Sequence, residues 1–359
     1  MDTRDVFSFA SGQSSLPTEI LDAIEAGVKS GALNRLSVLE LPFTSDDARE
    51  ILCTTEKLIR DLMNVPATHE IIFMQGGAYA QFGIIAMNLG GPGRQAAYVQ
   101  AGHWSRRAAL EAKPWIEVQC AAEGDGTVLP LPETWDVSQS ATYCHYASND
   151  SVEGLQYPTL PKVSGVPLVA DMTADFLMRP VEFSNIGLLY ASSQKNLGIA
   201  GLTVVIAAQS LLDRCTQNVP APFRYDRQAR EGSMVNTPPL FAISVAGHVC
   251  RWLKDRGGLP MADVRSKERA ALLYQLIGKD GFYSSPIDPR FRSQVSVRFH
   301  LQSPELEAMF LTESRKQGLL YLQGHPSVGG LRASLYNLVA LEAVRRLAGF
   351  MEQFERAHG

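Results

Sequence analysis

Hydrophobic positions along the first two thirds of the chain follow two alternating periods, which predicts strands and helices in turn. Apolar residues at helical spacing predict helices over residues 17–30, 46–64, 78–89 and 105–113. Short apolar runs between and after them predict strands over residues 70–74, 96–99, 116–118, 143–146, 166–170, 187–191 and 202–207. This alternation favours a mainly parallel sheet that is covered by helices on both faces.

The pattern changes after Pro238-Pro239. Long helices are predicted over residues 240–255, 260–277, 304–317 and 338–356, with one clearly alternating strand over residues 294–299. We therefore predict an α/β protein with a large, doubly wound domain over residues 16–245 and a small α+β domain. The small domain comprises residues 246–359 and is joined by an N-terminal arm, residues 1–15.

Composition excludes several classes of protein. The chain has 359 residues, of which 45% are hydrophobic and 19% are charged, and these are ordinary values for a globular enzyme. A net charge of −4 provides no basic field for nucleic acid or membrane lipids. The five cysteines are scattered and form no C-x-x-C pair, which argues against a disulfide framework or a metal site. With no apolar N-terminal segment or membrane span, we expect a cytoplasmic protein.

One lysine, Lys195, lies on the short connection between the predicted strands 187–191 and 202–207. Ligands of α/β proteins bind where such strands end. Apolar surroundings lower the pKa of a lysine amine and free its lone pair for carbonyl chemistry. Lys195 is therefore the candidate nucleophile, and the alternative is a solvated lysine at the end of a strand.

Three other features fit the same chemistry. Gly76-Gly77 lies between a strand and a helix, where backbone N–H groups bind a phosphate or the glycines serve only a tight turn. Asp171 ends a strand and can keep a ring nitrogen protonated, or cap the next segment. Trp104 can stack on a flat ring or belong to the core. Together with Lys195, these residues supply what pyridoxal 5'-phosphate (PLP) requires.

Several blocks of the chain also resemble the phosphoserine aminotransferase family, a class V, fold-type I group of PLP-dependent enzymes. They are Gly12, Gly76-Gly77 with Gln81-Phe82, Tyr98-Val99 with Ala101-Gly102 and Trp104, Ser193-Gln194-Lys195-Asn196, Gly232-Ser233-Met234 with Asn236-Thr237-Pro238-Pro239, and the segment 329–337. The resemblance extends from about Phe7 to Gly359.

The resemblance implies roles for individual residues. Lys195 would carry the cofactor and move the proton of the substrate Cα, and Asp171 would lie at the pyridine nitrogen. The remaining cofactor contacts would come from Gly77, Ala78, Tyr79, Trp104, Ser151 and Gln194, and from Asn236 and Thr237 of a neighbouring subunit in a homodimer. Arg332 would bind the substrate α-carboxylate bidentately, with Ser11 beside the substrate.

The chain departs from the family where the family binds the distal anionic group of the substrate. Phe43-Thr44 replaces a His-Arg pair, Tyr79 replaces an arginine, and His325-Pro326 replaces a second His-Arg pair. Each charge-assisted hydrogen bond is worth roughly 1.5–3 kcal/mol, so three missing arginines imply an altered substrate. Arg106 and Arg107 are candidates for a relocated cation, or they form a solvated helix face.

We therefore expect ping-pong transamination between an L-amino acid, by analogy glutamate, and a 2-oxo acid other than 3-phosphohydroxypyruvate. The alternative is a genuine phosphoserine aminotransferase of serine biosynthesis. Two further hypotheses are a PLP-dependent β-eliminating lyase and a cofactor-binding protein without catalytic activity.

Overall fold

The computed structural model describes residues 6–30, 36–278 and 281–359. Its helices are α1 (Thr18–Ser30), α2 (Asp46–Met63), α3 (Gly77–Leu89), α4 (His103–Ala112), α5 (Gln209–Leu212), α6 (Tyr225–Arg230), α7 (Leu240–Asp255), α8 (Gly258–Tyr274), α9 (Pro304–Lys316) and α10 (Leu341–His358). Its strands are β1 (Phe7–Ser8), β2 (His69–Met74), β3 (Gln95–Gln100), β4 (Glu117–Glu123), β5 (Cys144–Ala147), β6 (Asn149–Asp150), β7 (Leu155–Gln156), β8 (Leu168–Asp171), β9 (Ile186–Ser192), β10 (Thr203–Ala208), β11 (Ile277–Gly278), β12 (Tyr283–Ser284), β13 (Ser296–Phe299), β14 (Leu319–Leu320) and β15 (Leu331–Ser334).

The largest sheet has seven strands in the order β2-β10-β9-β8-β5-β3-β4. Strand β10 runs antiparallel to both of its neighbours, and the other pairs are parallel. All residues of β5, β8 and β9 are buried, as expected for strands covered on both faces. The predicted α/β fold with a mainly parallel sheet is thus confirmed.

The register of the central strands determines where polar side chains meet. Asp171, the last residue of β8, pairs with Tyr190 of the parallel strand β9. Strand β9 ends two residues later, and the loop containing Lys195 follows it. The carboxyl ends of these strands therefore bring the lysine loop to the side chain of Asp171.

Helix α4 begins at His103, two residues before the predicted start at Ser105. The carboxylate of Glu153 accepts hydrogen bonds from the backbone N–H of His103, at 3.0 and 3.1 Å. The carboxylate of Asp150 accepts hydrogen bonds from the backbone N–H groups of Trp104 and Ser105, at 3.1 and 3.2 Å. Carboxylates distant in sequence satisfy the first amides of the helix, so no local pattern revealed its start.

A second hydrophobic core comprises Phe7, Phe9 and Met178 together with residues between Ala270 and Phe354. Strand β1 of the N-terminal arm pairs in parallel with β14, and β13 pairs antiparallel with β15. Leu253 of α7 belongs to a different, larger hydrophobic core, which also contains Ile20 of α1 and Leu52 of α2. We propose that the large domain extends through α7, beyond the division at residue 245 predicted from the sequence.

Among the described residues, no helix is both long and apolar enough to span a membrane.

Candidate active site

The amine of Lys195 is buried in a polar environment. Its Nζ donates a hydrogen bond to Ser151 Oγ at 2.8 Å. Burial lowers the pKa of Lys195 to about 8, and nearby Arg332 acts in the same direction, whereas Asp171 opposes the shift. A lysine with this pKa has a substantial neutral fraction near pH 8 and can act as a nucleophile or a base.

Asp171 is buried at the end of β8, and its Oδ1 accepts a hydrogen bond from the Thr173 N–H at 2.9 Å. Burial raises the pKa of Asp171, against the lowering effects of Thr173 and Lys195. A cation beside this carboxylate would favour its ionised form. Asp171 therefore has the chemistry to bind a protonated ring nitrogen.

Tyr190, which pairs with Asp171 across β8 and β9, is one of several buried aromatic residues next to the site. Tyr190 hydrogen-bonds to Nε2 of His145 at 2.9 Å, and the His145 ring stacks on Tyr98 at a centroid distance of 5.0 Å. Burial lowers the pKa of His145 to about 3, so this histidine is neutral. Tyr190, the strand partner of Asp171, thus belongs to a buried and uncharged hydrogen-bonded group.

The amino end of α3 has the features of a phosphate cradle. Its N-cap residue, Gly76, has φ 97° and provides no side-chain cap for the first amides of the helix. Gly77 has φ 70°, and a Cβ built there would lie 3.3 Å from Ser192 Oγ. Ser192 Oγ in turn donates to the side chain of Gln194. Free amides beside hydroxyl and amide side chains suit an anion.

The turn between β6 and β7 connects several parts of the site. Ser151 receives the Lys195 hydrogen bond through its Oγ, and its carbonyl accepts from Arg332 Nη1 at 2.9 Å. Asp150 and Glu153 of the same turn bind the first amides of α4, next to the Trp104 ring. One turn thus positions the lysine, the arginine and the tryptophan relative to one another.

Arg332 and Ser11 line a cavity of about 680 Å³ between the N-terminal arm and the 319–326 segment. The Ser11 carbonyl accepts a hydrogen bond from Tyr336 at 2.8 Å. The arm also contacts the lysine loop, because Ser14 N–H donates to the Gln194 carbonyl at 2.9 Å. An amino acid bound to Arg332 would therefore lie close to the Lys195 loop.

Tyr79 and Arg107 interact with each other on the outer side of α3 and α4. The Arg107 guanidinium lies 5.1 Å from the centroid of the Tyr79 ring and pairs with Glu111 at 2.5 Å. The Tyr79 hydroxyl donates to the same carboxylate at 3.0 Å. Arg106 instead donates to the Gly124 carbonyl at 2.5 Å. Both arginines thus have protein partners.

Phe43 and Thr44 lie in the turn before α2, where Ser45 N–H donates to the Pro42 carbonyl at 2.9 Å. Among the described residues, no hydrogen bond links this turn to the Lys195 cluster. Asn236 accepts from Gln228, and the Thr237 carbonyl accepts from Gln75 at 2.9 Å, beside the Gly76-Gly77 loop. The segment 236–237 therefore lies near the candidate phosphate cradle of its own chain.

His325 lies close to a residue for which the sequence suggested no role in binding. Its ring centroid is 5.0 Å from that of His103, the residue before Trp104. Burial lowers the pKa of His325, and His103 and Arg332 act in the same direction. The sequence analysis also did not identify Arg298 and Glu153 as residues near the site. Gln294, Ser296 and Arg298 alternate with apolar residues over the predicted strand 294–299, and this alternation was the available signal for Arg298.

No group of three or more histidine, cysteine, aspartate or glutamate side chains in the described ranges has the geometry to hold a metal ion.

Comparison with known proteins identifies the class of enzyme. The family model of class-V aminotransferases matches residues 6–347, and the chain belongs to this family. It is 40% identical over 358 residues to the phosphoserine aminotransferase of Laribacter hongkongensis, covering 99% of each chain. It is 41% identical to that of Nitrosomonas europaea over 367 residues, covering 99% of this chain and all of the relative.

Solved structures agree with this assignment. The phosphoserine aminotransferase from Bacillus circulans subsp. alkalophilus superposes with a TM-score of 0.95 at 35% identity, covering 98% of each chain. PLP-bound phosphoserine aminotransferase from Trichomonas vaginalis superposes with a TM-score of 0.92 at 32% identity, covering 97% of this chain and 99% of that one. The fold-type I architecture and the resemblance predicted from the sequence are confirmed.

The enzyme is a PLP-dependent aminotransferase. Its residues fit the cofactor: a buried lysine of lowered pKa lies beside a buried carboxylate, and a helix start without a side-chain cap provides free amides. When bound, the cofactor supplies an electron sink for the bond electrons released at the substrate Cα.

Proposed function

We propose that the enzyme transfers the amino group of L-glutamate to 3-phosphohydroxypyruvate, and so acts as a phosphoserine aminotransferase. The observation that carries this proposal is full-length identity of about 40% to several phosphoserine aminotransferases. This conclusion favours the alternative from the sequence analysis over its main expectation, which excluded this acceptor.

The residues of the site support the proposed chemistry. Arg332 would bind the α-carboxylate with its planar guanidinium, which matches two carboxylate oxygens. Lys195, once it no longer carries the cofactor, would take the proton from the substrate Cα and deliver it to C4′ of the cofactor. Asp171 would keep the ring nitrogen protonated, which strengthens electron withdrawal.

A second candidate is a transaminase for a less anionic 2-oxo acid. It is favoured by Tyr79, whose hydroxyl binds Glu111 rather than facing Lys195, and by Pro326, which lines the cavity next to Arg332. Neither side chain can contribute a cation. The two candidates share the lysine chemistry and differ only in the recognition of the distal group.

A half-reaction assay separates the two candidates. The holoenzyme is mixed with L-phosphoserine, L-glutamate or L-alanine, and the loss of visible absorbance of the lysine-bound cofactor is followed. We expect L-phosphoserine to have a kcat/KM at least comparable with that of L-glutamate, because both carry a distal anion. A rate with L-phosphoserine equal to the blank, beside a measurable rate with another amino acid, would support the second candidate.

We also propose a homodimer in which Asn236 and Thr237 contact the cofactor phosphate of the other subunit. The resemblance supports this arrangement. The cytoplasmic location expected from the sequence stays a prediction.

A further inference from the structure

The antiparallel pair of β13 and β15 has one apolar and one polar face. Val297, Phe299, Leu331 and Ala333 belong to the second hydrophobic core. The opposite face presents Arg298 directly across from Arg332. Side chains opposite each other in an antiparallel pair lie about 4.5–5.5 Å apart at Cβ, and two like charges there are destabilising.

The structure places Arg298 against the turn that contains Ser151. A Cβ built on Gly154 would lie 3.2 Å from Arg298 Cβ and 2.8 Å from the Ser296 carbonyl. Arg298 Nη2 donates to the Val328 carbonyl at 2.9 Å. The guanidinium therefore lies between the 151–154 turn and the loop containing His325 and Pro326.

His300 orients Arg298. Its Nδ1 lies 3.3 Å from Glu307 Oε1, and its Nε2 lies 3.0 Å from Arg298 Nη2. Because a guanidinium can only donate, Nε2 accepts the arginine hydrogen and Nδ1 faces Glu307. Burial and Arg298 lower the pKa of His300, which favours this form of the ring, whereas Glu307 opposes the shift. Among the described residues, Arg298 Nε is a buried atom without a hydrogen-bond partner.

Arg298 and Arg332 face each other on β13 and β15, and both interact with the same carboxylate, that of Glu153. Glu153 opposes the lowering of the pKa of both arginines, and Glu307 also acts on Arg298, yet burial leaves the pKa of each lowered. The Asp150 carboxylate is already occupied, because it accepts hydrogen bonds from the backbone N–H groups of Trp104 and Ser105. The half-buried guanidinium of Arg298 and the buried guanidinium of Arg332 together suit a ligand with two anionic groups.

We propose that Arg298 is a specificity-determining residue that binds the distal anionic group of the substrate while Arg332 binds the α-carboxylate. This inference rests on the proposed function, because it assigns the distal cation of the same site. The ligand class is an amino acid with a phosphate or carboxylate on its side chain. Arg298 thus replaces a cation that the family resemblance places at position 326.

The test compares the holoenzyme variants R298Q and R292Q. Arg292 is a matched control: it is also half-buried, immediately precedes the same strand region, and donates to the carbonyls of Ile287 and Ile277 at 3.3 and 3.1 Å. For R298Q we expect kcat/KM for L-phosphoserine and L-glutamate to fall about 10- to 100-fold, mainly through KM. The half-reaction with L-alanine should change less than about twofold.

Inorganic phosphate provides a readout that needs no turnover. Calorimetric titration of the holoenzyme, whose cofactor cradle is already filled, should show about tenfold weaker phosphate binding for R298Q and unchanged binding for R292Q. If R298Q loses kcat/KM equally with L-alanine and L-glutamate, the assignment is overturned. It is also overturned if kcat/KM for L-glutamate and the affinity for phosphate are both unchanged in R298Q. A selective loss in R106Q instead would identify Arg106 as the cation.

The two proposals fail separately. Absence of L-phosphoserine turnover by the unmodified enzyme contradicts the proposed function. The role of Arg298 is then still decided by two measurements on R298Q. One is the ratio of kcat/KM for L-glutamate to kcat/KM for L-alanine, and the other is the affinity for inorganic phosphate.

Discussion

Lys195 Nζ donates a hydrogen bond to Ser151 Oγ at 2.8 Å, and the carbonyl of the same serine accepts from Arg332 Nη1 at 2.9 Å. The candidate nucleophile and the candidate carboxylate-binding group are thus fixed by one residue of a short turn. Because the side chain and the backbone of Ser151 are both used, a shift of this turn would disturb proton transfer and substrate orientation together.

The pKa of Lys195 predicts the pH dependence of cofactor uptake. The attacking amine must be neutral, and burial lowers its pKa to about 8. The rate at which apoenzyme binds PLP covalently should therefore rise about tenfold per pH unit below this value and level off above it. The measurement is stopped-flow absorbance from pH 6 to 10. A rate still rising steeply at pH 10 would contradict a lowered pKa.

Ser151→Ala should move the midpoint of this pH profile, the pH at which half of the Lys195 amine is neutral, to a lower value. An ammonium group donating to Ser151 Oγ is stabilised in its charged form, so loss of the acceptor lowers the lysine pKa further, by about one unit. Ser151→Thr keeps the hydroxyl and is the control. If both variants shift the uptake profile equally, the effect comes from packing and not from the hydrogen bond.

Lys195→Ala should abolish turnover while the fold is retained. Loss of the group that moves the Cα proton should lower kcat by at least about 10³-fold, and the absorbance of lysine-bound cofactor should be missing. Lys162→Ala is the control, since Lys162 is exposed and pairs with Glu182 at 3.0 Å. Single-turnover kinetics that match those of the unmodified enzyme would exclude Lys195 as the catalytic base.

Gly154→Ala should destabilise the site through crowding. The φ of Gly154 is +83°, and a Cβ there would meet the Ser296 carbonyl at 2.8 Å. Gly93→Ala is a control for backbone strain alone, because Gly93 has φ +71° and open space around its Cβ position. We expect a cost of about 1–2 kcal/mol for Gly93→Ala and about 1–3 kcal/mol more for Gly154→Ala.

Thermal denaturation and activity together test this prediction. Gly154→Ala should lower both the midpoint temperature of unfolding and kcat/KM, whereas Gly93→Ala should lower only the midpoint temperature. Equal midpoints for the two variants would show that the 151–154 turn tolerates displacement from β13.

Mixed dimers test the proposed exchange of residues between subunits. A Lys195→Ala chain should be inactive alone, and a chain with both Asn236→Ala and Thr237→Ala should be only weakly active alone. If the segment 236–237 serves the neighbouring site, mixing them restores about one intact site per heterodimer. The measurement is activity after unfolding and refolding at equal concentrations. No recovery above the sum of the separate chains would place Asn236 and Thr237 at the site of their own chain.

Local pattern was sufficient for much of the fold. The strands around Lys195 and the long C-terminal helices were predicted because burial on one face or on both faces leaves a direct periodic signal. Helix α4 was placed two residues late, since its first amides are satisfied by Asp150 and Glu153 from another segment. The N-terminal arm gave too short a pattern to reveal its pairing with β14.

The sequence by itself determined the α/β architecture, the connection containing Lys195 and the strand end at Asp171, because these depend on residue types and on spacing along one segment. Only the tertiary structure decided that Ser151 links Lys195 to Arg332, that Arg107 turns to Glu111, and that Arg298 lies opposite Arg332. Such relationships arise where distant segments pack together. The free energy of a buried charge depends on those neighbours and not on its position in the chain.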